Sequence, residues 1–311
     1  MLVDTLHWRS LFYINLPLGV LIVWFAGRIP GGRAGTGRLP DLLGTVLLAG
    51  GLGSLALGVT QGQSWQWSDA RTLALLAGGA AGTALALWRS TRHPAPVLEV
   101  SLWRSRTFAV ANVASALYGA ALYPWLLIGV LFLTQVWGYS ELRAGLAVSP
   151  GALAAALTAV LLSRSGRFGP RTAVVAGAVL LAASGVWTLV TLPVHPHFLT
   201  FWLPAGTALG AGMGGITVGT ASAAALSVDP ARFAAAAGLN TTARQLGGAL
   251  GVAALAAIMS AHVPSTRGDF QHVYLFCTLV TVLTALAGLG LRIATRPAPA
   301  PVRAEPVEVA P

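Results

Sequence analysis

The richest chemistry in this sequence sits in Asn240-Thr241-Thr242-Ala243-Arg244-Gln245, followed by the glycine-dense Leu246-Gly247-Gly248-Ala249-Leu250-Gly251. Both pieces interrupt an apolar run from about Ala234 to Met259. A guanidinium stays charged and cannot relay a proton. It can steer an anionic substrate group, or pair with an acid elsewhere and lower that acid's pKa. If a helix enters a bilayer near Phe233, Arg244 lies roughly 15 Å along it at 1.5 Å per residue. That is close to the midplane, where an arginine costs on the order of 2.5–3.5 kcal/mol, so it should face protein or a water-filled cavity. Two readings stand for Arg244 and Gln245. They line a cavity or pair in one state of a cycle, or they make a purely structural hydrogen bond to a neighbouring helix. Asn240, Thr241 and Thr242 are of the type that bonds across helices, with Asn240 kept as a cavity candidate. Asn240-Thr241-Thr242 also fits a glycosylation sequon, but a helix-buried site is no acceptor.

Other candidates are weighed the same way. Tyr118, Tyr123 and Trp125 could form an aromatic wall for an amphipathic small molecule, or pack against core or lipid. Gly206, Gly210 and Gly214 recur every four residues, as do Gly247 and Gly251. Small residues at that spacing let helix backbones approach closely, so these glycines read as packing positions with some sliding. His195-Pro196-His197 has no third ligand nearby in sequence, so no metal site and no cofactor is expected. There is no Ser-His-acid set, no His-Glu-x-x-His and no phosphate loop after a strand, so an enzyme reading fares poorly. No Asp or Glu falls inside a predicted span, and all six histidines fall in loops. Proton coupling needs a titratable group in the pathway, so this chain alone shows no proton carrier.

The elements that must position these residues are membrane spans. Hydrophobic residues make up 55% of the 311 and charged residues only 9%, against about 25% in a soluble domain. Mean hydropathy is +0.73. The expected fold class is all-α, a polytopic helix bundle with the lipid bilayer as its first partner. The net charge of +10 comes entirely from arginines set between apolar runs. These set topology and do not bind nucleic acid. Nine spans are predicted: Leu11–Gly27, Leu42–Val59, Leu73–Trp88, Phe108–Val136, Ala144–Leu162, Ala173–Leu192, Leu199–Leu226, the Ala234–Met259 run, and Tyr274–Ile293. The fourth is long enough to tilt, or to kink at Pro124. Fourteen arginines follow the odd-numbered spans, and four lie on the other side. The positive-inside rule makes the fourteen-arginine side, and the C-terminus, cytoplasmic at the plasma membrane. The Pro- and Ala-rich tail, 295–311, is expected to be disordered. Nine spans would leave the N-terminus outside with no export signal, so the chain reads as the back part of a longer protein.

Several stretches then resemble one family. His7-Trp8-Arg9-Ser10-Leu11-Phe12-Tyr13-Ile14-Asn15-Leu16-Pro17-Leu18-Gly19 is similar to the sixth helix of the fourteen-helix drug:proton antiporters of the major facilitator superfamily. Asp41-Leu42-Leu43-Gly44, the stretch from Pro96 to Phe108, Gly138-Tyr139-Ser140 with Arg143-Ala144-Gly145-Leu146, and the Asn240–Gly251 patch also match, in the same order. The resemblance maps residues 1–30 to the last helix of an N-terminal bundle that is otherwise missing. Residues 31–106 become two central linker helices and 107–294 a C-terminal six-helix bundle. It implies an exporter of amphipathic compounds working by alternating access, with the proton-carrying acid in the first five helices. Ser163 to Arg171 resembles the second-half copy of the family's signature loop, with Arg167 and Arg171 as gating candidates, but Gly166 stands where the family commonly has Asp. The alternative is a non-transporting fragment, or a half that must assemble with a separate N-terminal half.

Overall fold

The computed structural model describes residues 13, 15–26, 28, 41–94, 96, 99–259 and 267–292. The described residues are almost wholly helical. In chain order the helices are α1 (Asn15–Ala26), α2 (Leu42–Trp65), α3 (Ala70–Ser90), α4 (Arg106–Gln135), α5 (Glu141–Ser165), α6 (Pro170–Thr191), α7 (Leu203–Leu226), α8 (Phe233–Met259) and α9 (Arg267–Leu289). A π-turn, Phe198–Trp202, leads into α7.

The helix starts follow from short polar residues placed just ahead of each apolar run. The Asp41 carboxylate accepts from the Gly44 amide at 2.8 Å, and Asp69 from Arg71 at 2.7 Å. Ser105 and Ser140 cap α4 and α5 in the same way. Each satisfies an amide that the first turn leaves without a partner. Gly166 ends α5 at φ 56°, a left-handed position that suits glycine.

Eight of the nine helices, counting the Phe198–Leu226 stretch as one, are long and apolar enough to cross a membrane. The exception is α1. Only 12 of its residues, Asn15–Ala26, are described in one run, so the predicted first span lies partly outside the described residues. The His7-Trp8-Arg9 motif, the expected start at Leu11 and the 295–311 tail lie outside the described residues. α9 begins at Arg267, seven residues before the expected Tyr274. Asp269 and His272, both assigned to a loop by sequence, therefore lie inside the helix, and Asp269 is buried in its first turn. Helix α4 runs through Pro124 as a single element.

Helices α4 to α9 form one bundle. α4 packs on α8 and α9, α7 packs on α5 and α6, and α9 closes against α6. Glycines make the closest seams. A methyl at Gly247 or Gly251 of α8 would run into the carbonyl of Ala116 or Ala120 on α4. On α7, Gly210 faces the Gly151 carbonyl of α5, while Gly212 faces the Gly177 carbonyl of α6. Helix α7 is thus pinched between two partners on two glycine faces. Buried hydroxyls bond to their own helix one turn back, as Thr220 does to the Ile216 carbonyl and Thr281 to that of Cys277. No backbone group is opened to lipid by them.

Helices α2 and α3 form a hairpin that touches the bundle through α8. It is closed by its own glycine contact, since a methyl at Gly79 would come within 2.8 Å of the Gly51 carbonyl oxygen. At the loop end Arg89 Nε donates to Asp41 Oδ1 at 2.8 Å. Desolvation raises the Asp41 carboxyl. The Gly44 amide, the Arg89 guanidinium and the nearby charge of His93 together outweigh it and hold the group below the ordinary carboxylate value.

Two outcomes follow. Gly247→Val should lower the thermal unfolding temperature in detergent, the overpacking costing about 1–3 kcal/mol. Gly53→Val, where a side chain meets nothing within 4 Å, should leave it unchanged. Because the folded pKa of Asp41 is depressed, its stabilising contribution is complete above the unfolded carboxylate value of about 3.9. It is lost as pH falls through the lower folded value. A melting-temperature profile against pH should show that acid-side loss, and Asp41→Asn should flatten it.

Candidate functional site

Arg244 is the twelfth of the 27 residues of α8. It is half-buried, and its guanidinium makes no hydrogen bond or ion pair with any described residue. Its place is set by backbone contact, because the Arg244 carbonyl lies where a Gly119 side chain would be. One residue on, the Gln245 amide oxygen accepts a hydrogen bond from the Tyr123 hydroxyl of α4. The Tyr123 ring lies flat enough on α8 that a methyl at Gly248 would strike it. Arg244, Gln245 and Tyr123 are therefore brought together along the α4–α8 seam, and the Gln245 side chain is exposed.

The other polar candidates are placed differently. Asn240 is buried, and its Nδ2 donates to the Ala111 carbonyl at 3.4 Å. Tyr118 is buried too. Its hydroxyl donates to the Met213 carbonyl at 3.3 Å and accepts from Thr217 Oγ1 at 3.1 Å, tying α4 to α7. Neither faces open space. Arg167 and Arg171 are exposed at the α5–α6 loop and form no ion pair among the described residues. Sequence reasoning missed Asn112 and Ser115, both fully buried on α4. Asn112 Oδ1 and Ser115 Oγ have no partner among the described residues. The only available signal was an amide one turn above a serine in an apolar run.

A second feature was only partly foreseen. An apolar cavity of about 170 Å³ lies between α4, α5 and α7, floored by α6 and α9. Trp125, alone among the aromatic wall candidates, lines it, together with Trp202, Phe201, Tyr274, Leu209 and Met213. Small residues on α5 and α7, such as Ala152 and Gly206, leave the space open. Exposed Leu126 and Ala152 form its rim, where α4 and α5 meet each other sparingly. Behind it Trp202 stacks on Phe132 at 6.3 Å and 3°, and donates from Nε1 to the Ala147 carbonyl at 3.0 Å. That bond ties the Trp202 indole to α5.

The described residues are almost wholly helical, with eight helices long and apolar enough to cross a membrane. Residues 108–311 match the Major Facilitator Superfamily. The chain belongs to that superfamily. It is 29% identical over 86% of its length to the Multidrug resistance protein Stp of Mycobacterium tuberculosis, covering 49% of that protein. To the Tetracenomycin C resistance and export protein of Streptomyces glaucescens it is 30% identical over 86% of its length and 50% of the relative. To the Cephamycin export protein CmcT of Amycolatopsis lactamdurans it is 32% identical over 90% of its length and 60% of the relative. The chain thus spans about half the length of the curated relatives it matches.

Tyr118→Phe should cost about 1 kcal/mol of stability through the lost cross-helix bond, read by denaturation of the detergent-solubilised chain. Tyr123→Phe, whose partner Gln245 stays exposed to other donors, should cost less.

Proposed function

We propose that this chain supplies the C-terminal six-helix lobe, with two central helices ahead of it, of a proton-coupled secondary transporter that exports amphipathic small molecules by alternating access. The observation that carries the reading is Arg244. A half-buried cation near the middle of a spanning helix is costly against lipid. With no hydrogen-bond or ion-pair partner among the described residues, it calls for a water-filled path or a second lobe beside the α4–α8 surface. Gln245 and Tyr123 on the same surface add polar groups to that path. The names of the relatives, which speak of drug resistance and export, support a carrier over a catalyst.

A full carrier of this superfamily works with paired repeats. We infer that the second lobe comes either from the same polypeptide or from a separate chain. We place the coupling acid in that lobe, because the acidic residues within the described spans, Glu141 and the buried Asp269, stand in first turns at the helix ends and Arg244 cannot release its proton. Arg244 would hold that acid ionised in the state that brings the two together and release it in the other. The arginine bias supports a plasma-membrane protein with its C-terminus in the cytoplasm.

The test is dye efflux under an imposed pH gradient, with this chain expressed alone and with an N-terminal bundle taken from a relative. Efflux is expected only with both. Arg244→Ala should reduce it at least tenfold while leaving the membrane content unchanged, and Arg244→Lys should retain part of it. Efflux unchanged in Arg244→Ala removes that residue from the path. No efflux in any pairing leaves a fragment that does not transport.

A further inference from the structure

Helices α5 and α6 follow one another through the short loop 166–169, yet they hardly touch. Each packs on α7 instead. A methyl at Gly214 of α7 would strike the Ala155 carbonyl of α5, and one at Gly177 of α6 would come within 2.7 Å of the Gly212 carbonyl oxygen of α7. Held close to both, α7 becomes the back wall of a gap between them. The gap is an apolar groove of about 210 Å³, lined by Thr158 and Leu162 of α5, Phe168 of the loop, Ala176 and Leu180 of α6, and Gly215 of α7. It is open on the side away from α7, where Phe168 is 56% and Leu180 40% exposed. From Thr172 to Leu180 it runs about 12 Å along α6. That approaches the hydrocarbon depth of one leaflet, about 15 Å. The loop end of the groove is strongly basic. Arg164, Arg167 and Arg171 stand in the stretch from Ser163 to Arg171, which holds no acidic residue. All three are exposed, and none makes an ion pair or a side-chain hydrogen bond with any described residue. Arg89 and Arg232, by contrast, are paired with Asp41 and Glu99.

We propose that this groove and its arginines form a site for one anionic phospholipid, with an acyl chain between α5 and α6 and the phosphate among Arg164, Arg167 and Arg171. The two parts make separate demands, and one molecule meets both. A helix, about 10–12 Å across with its side chains, is far too wide for the gap. An unbranched hydrocarbon chain fits it, and without a guest the lining atoms forfeit their dispersion contacts on that side. At the loop end, guanidinium forks match phosphate oxygens in bidentate geometry. Three cations with no carboxylate among them favour a lipid of net negative charge. A zwitterionic headgroup would bring a further cation to the cluster. Basic clusters at a membrane surface draw anionic lipids for the same reason. The proposal goes beyond the transport reading. It concerns the open face of the α5–α6 pair and not the α4–α8 surface, and it needs only that the chain spans a bilayer.

Native mass spectrometry of the full chain in detergent, titrated with dioleoylphosphatidylglycerol or dioleoylphosphatidylcholine, counts the lipids it retains. One phosphatidylglycerol should be held saturably, roughly tenfold or more tighter than phosphatidylcholine. Arg164→Gln, Arg167→Gln and Arg171→Gln combined should erase that preference. Arg92→Gln, Arg104→Gln and Arg106→Gln combined remove as much charge elsewhere and should leave it unchanged. Ala176→Phe, which fills the groove with every arginine in place, should weaken phosphatidylglycerol several-fold. It keeps the test decisive if the first triple variant does not fold. Equal retention of the two lipids by the wild type would overturn the proposal. So would equal losses in the two triple variants, which would mean diffuse attraction to net charge. An Ala176→Phe chain that binds as the wild type does would also overturn it, leaving anion contact without a groove. Binding is read without transport, so its failure leaves the carrier reading standing, and failed efflux leaves the lipid site.

Discussion

The bundle depends on helix backbones touching through glycine. Lipid tails are as apolar as leucine, so in a bilayer helices gain little by hiding apolar side chains from one another. What remains is van der Waals contact at short range, and that requires residues without side chains at the crossing points. The seams of α8 on α4, of α7 on α5 and of α7 on α6 all meet this requirement with a glycine facing a carbonyl. Such glycines lower helix propensity, but a membrane interior leaves the backbone no alternative to the helix. The usual cost of a mid-helix glycine is therefore muted here.

Those contacts also place the chemistry. The seam that sets Gly247 against Ala116 fixes the rotation of α8 about its axis. One turn earlier, the same rotation puts the Arg244 backbone against Gly119 and sends Gln245 to the Tyr123 hydroxyl. On the other side of the bundle, close approach of α7 to α5 below Gly210 is accompanied by open space at Gly206. One glycine row therefore does two things. Part of it closes a helix pair, and part of it leaves a cavity between large rings.

The α2–α3 hairpin stands apart. It carries its own seam, its own capping acids and an ion pair at its loop end, and it meets the bundle through α8 alone among the major contacts. A second ion pair, Arg232 to Glu99 at 3.3 Å, ties the α7–α8 connection to the segment that enters α4. Most charges of the described residues thus gather at helix ends, and Arg244, at mid-helix, is the exception that gives the α4–α8 surface its meaning.

Much of this was legible in the residues. Long apolar runs bounded by Asp, Ser, Gly and arginine located eight spanning helices, most of them to within a few residues, because lipid permits no other backbone solution over that length. The start of α9 was misjudged because Asp269 and His272 look like loop residues, and only neighbouring helices at that end make room for a buried carboxylate. The glycine spacing announced close packing. It did not say which glycine meets a carbonyl and which meets nothing, since that depends on the rotation and offset of two helices. Likewise Tyr118, Tyr123 and Trp125 read as one aromatic wall along the sequence. Around a helix they point three ways, into a cross-helix bond, onto the α8 surface and into a cavity. The sequence by itself determined that the chain spans a membrane, roughly where, and that a cation stands near the middle of one spanning helix. Tertiary structure alone decided what each side chain faces, because facing is a property of pairs of helices and periodicity describes only one.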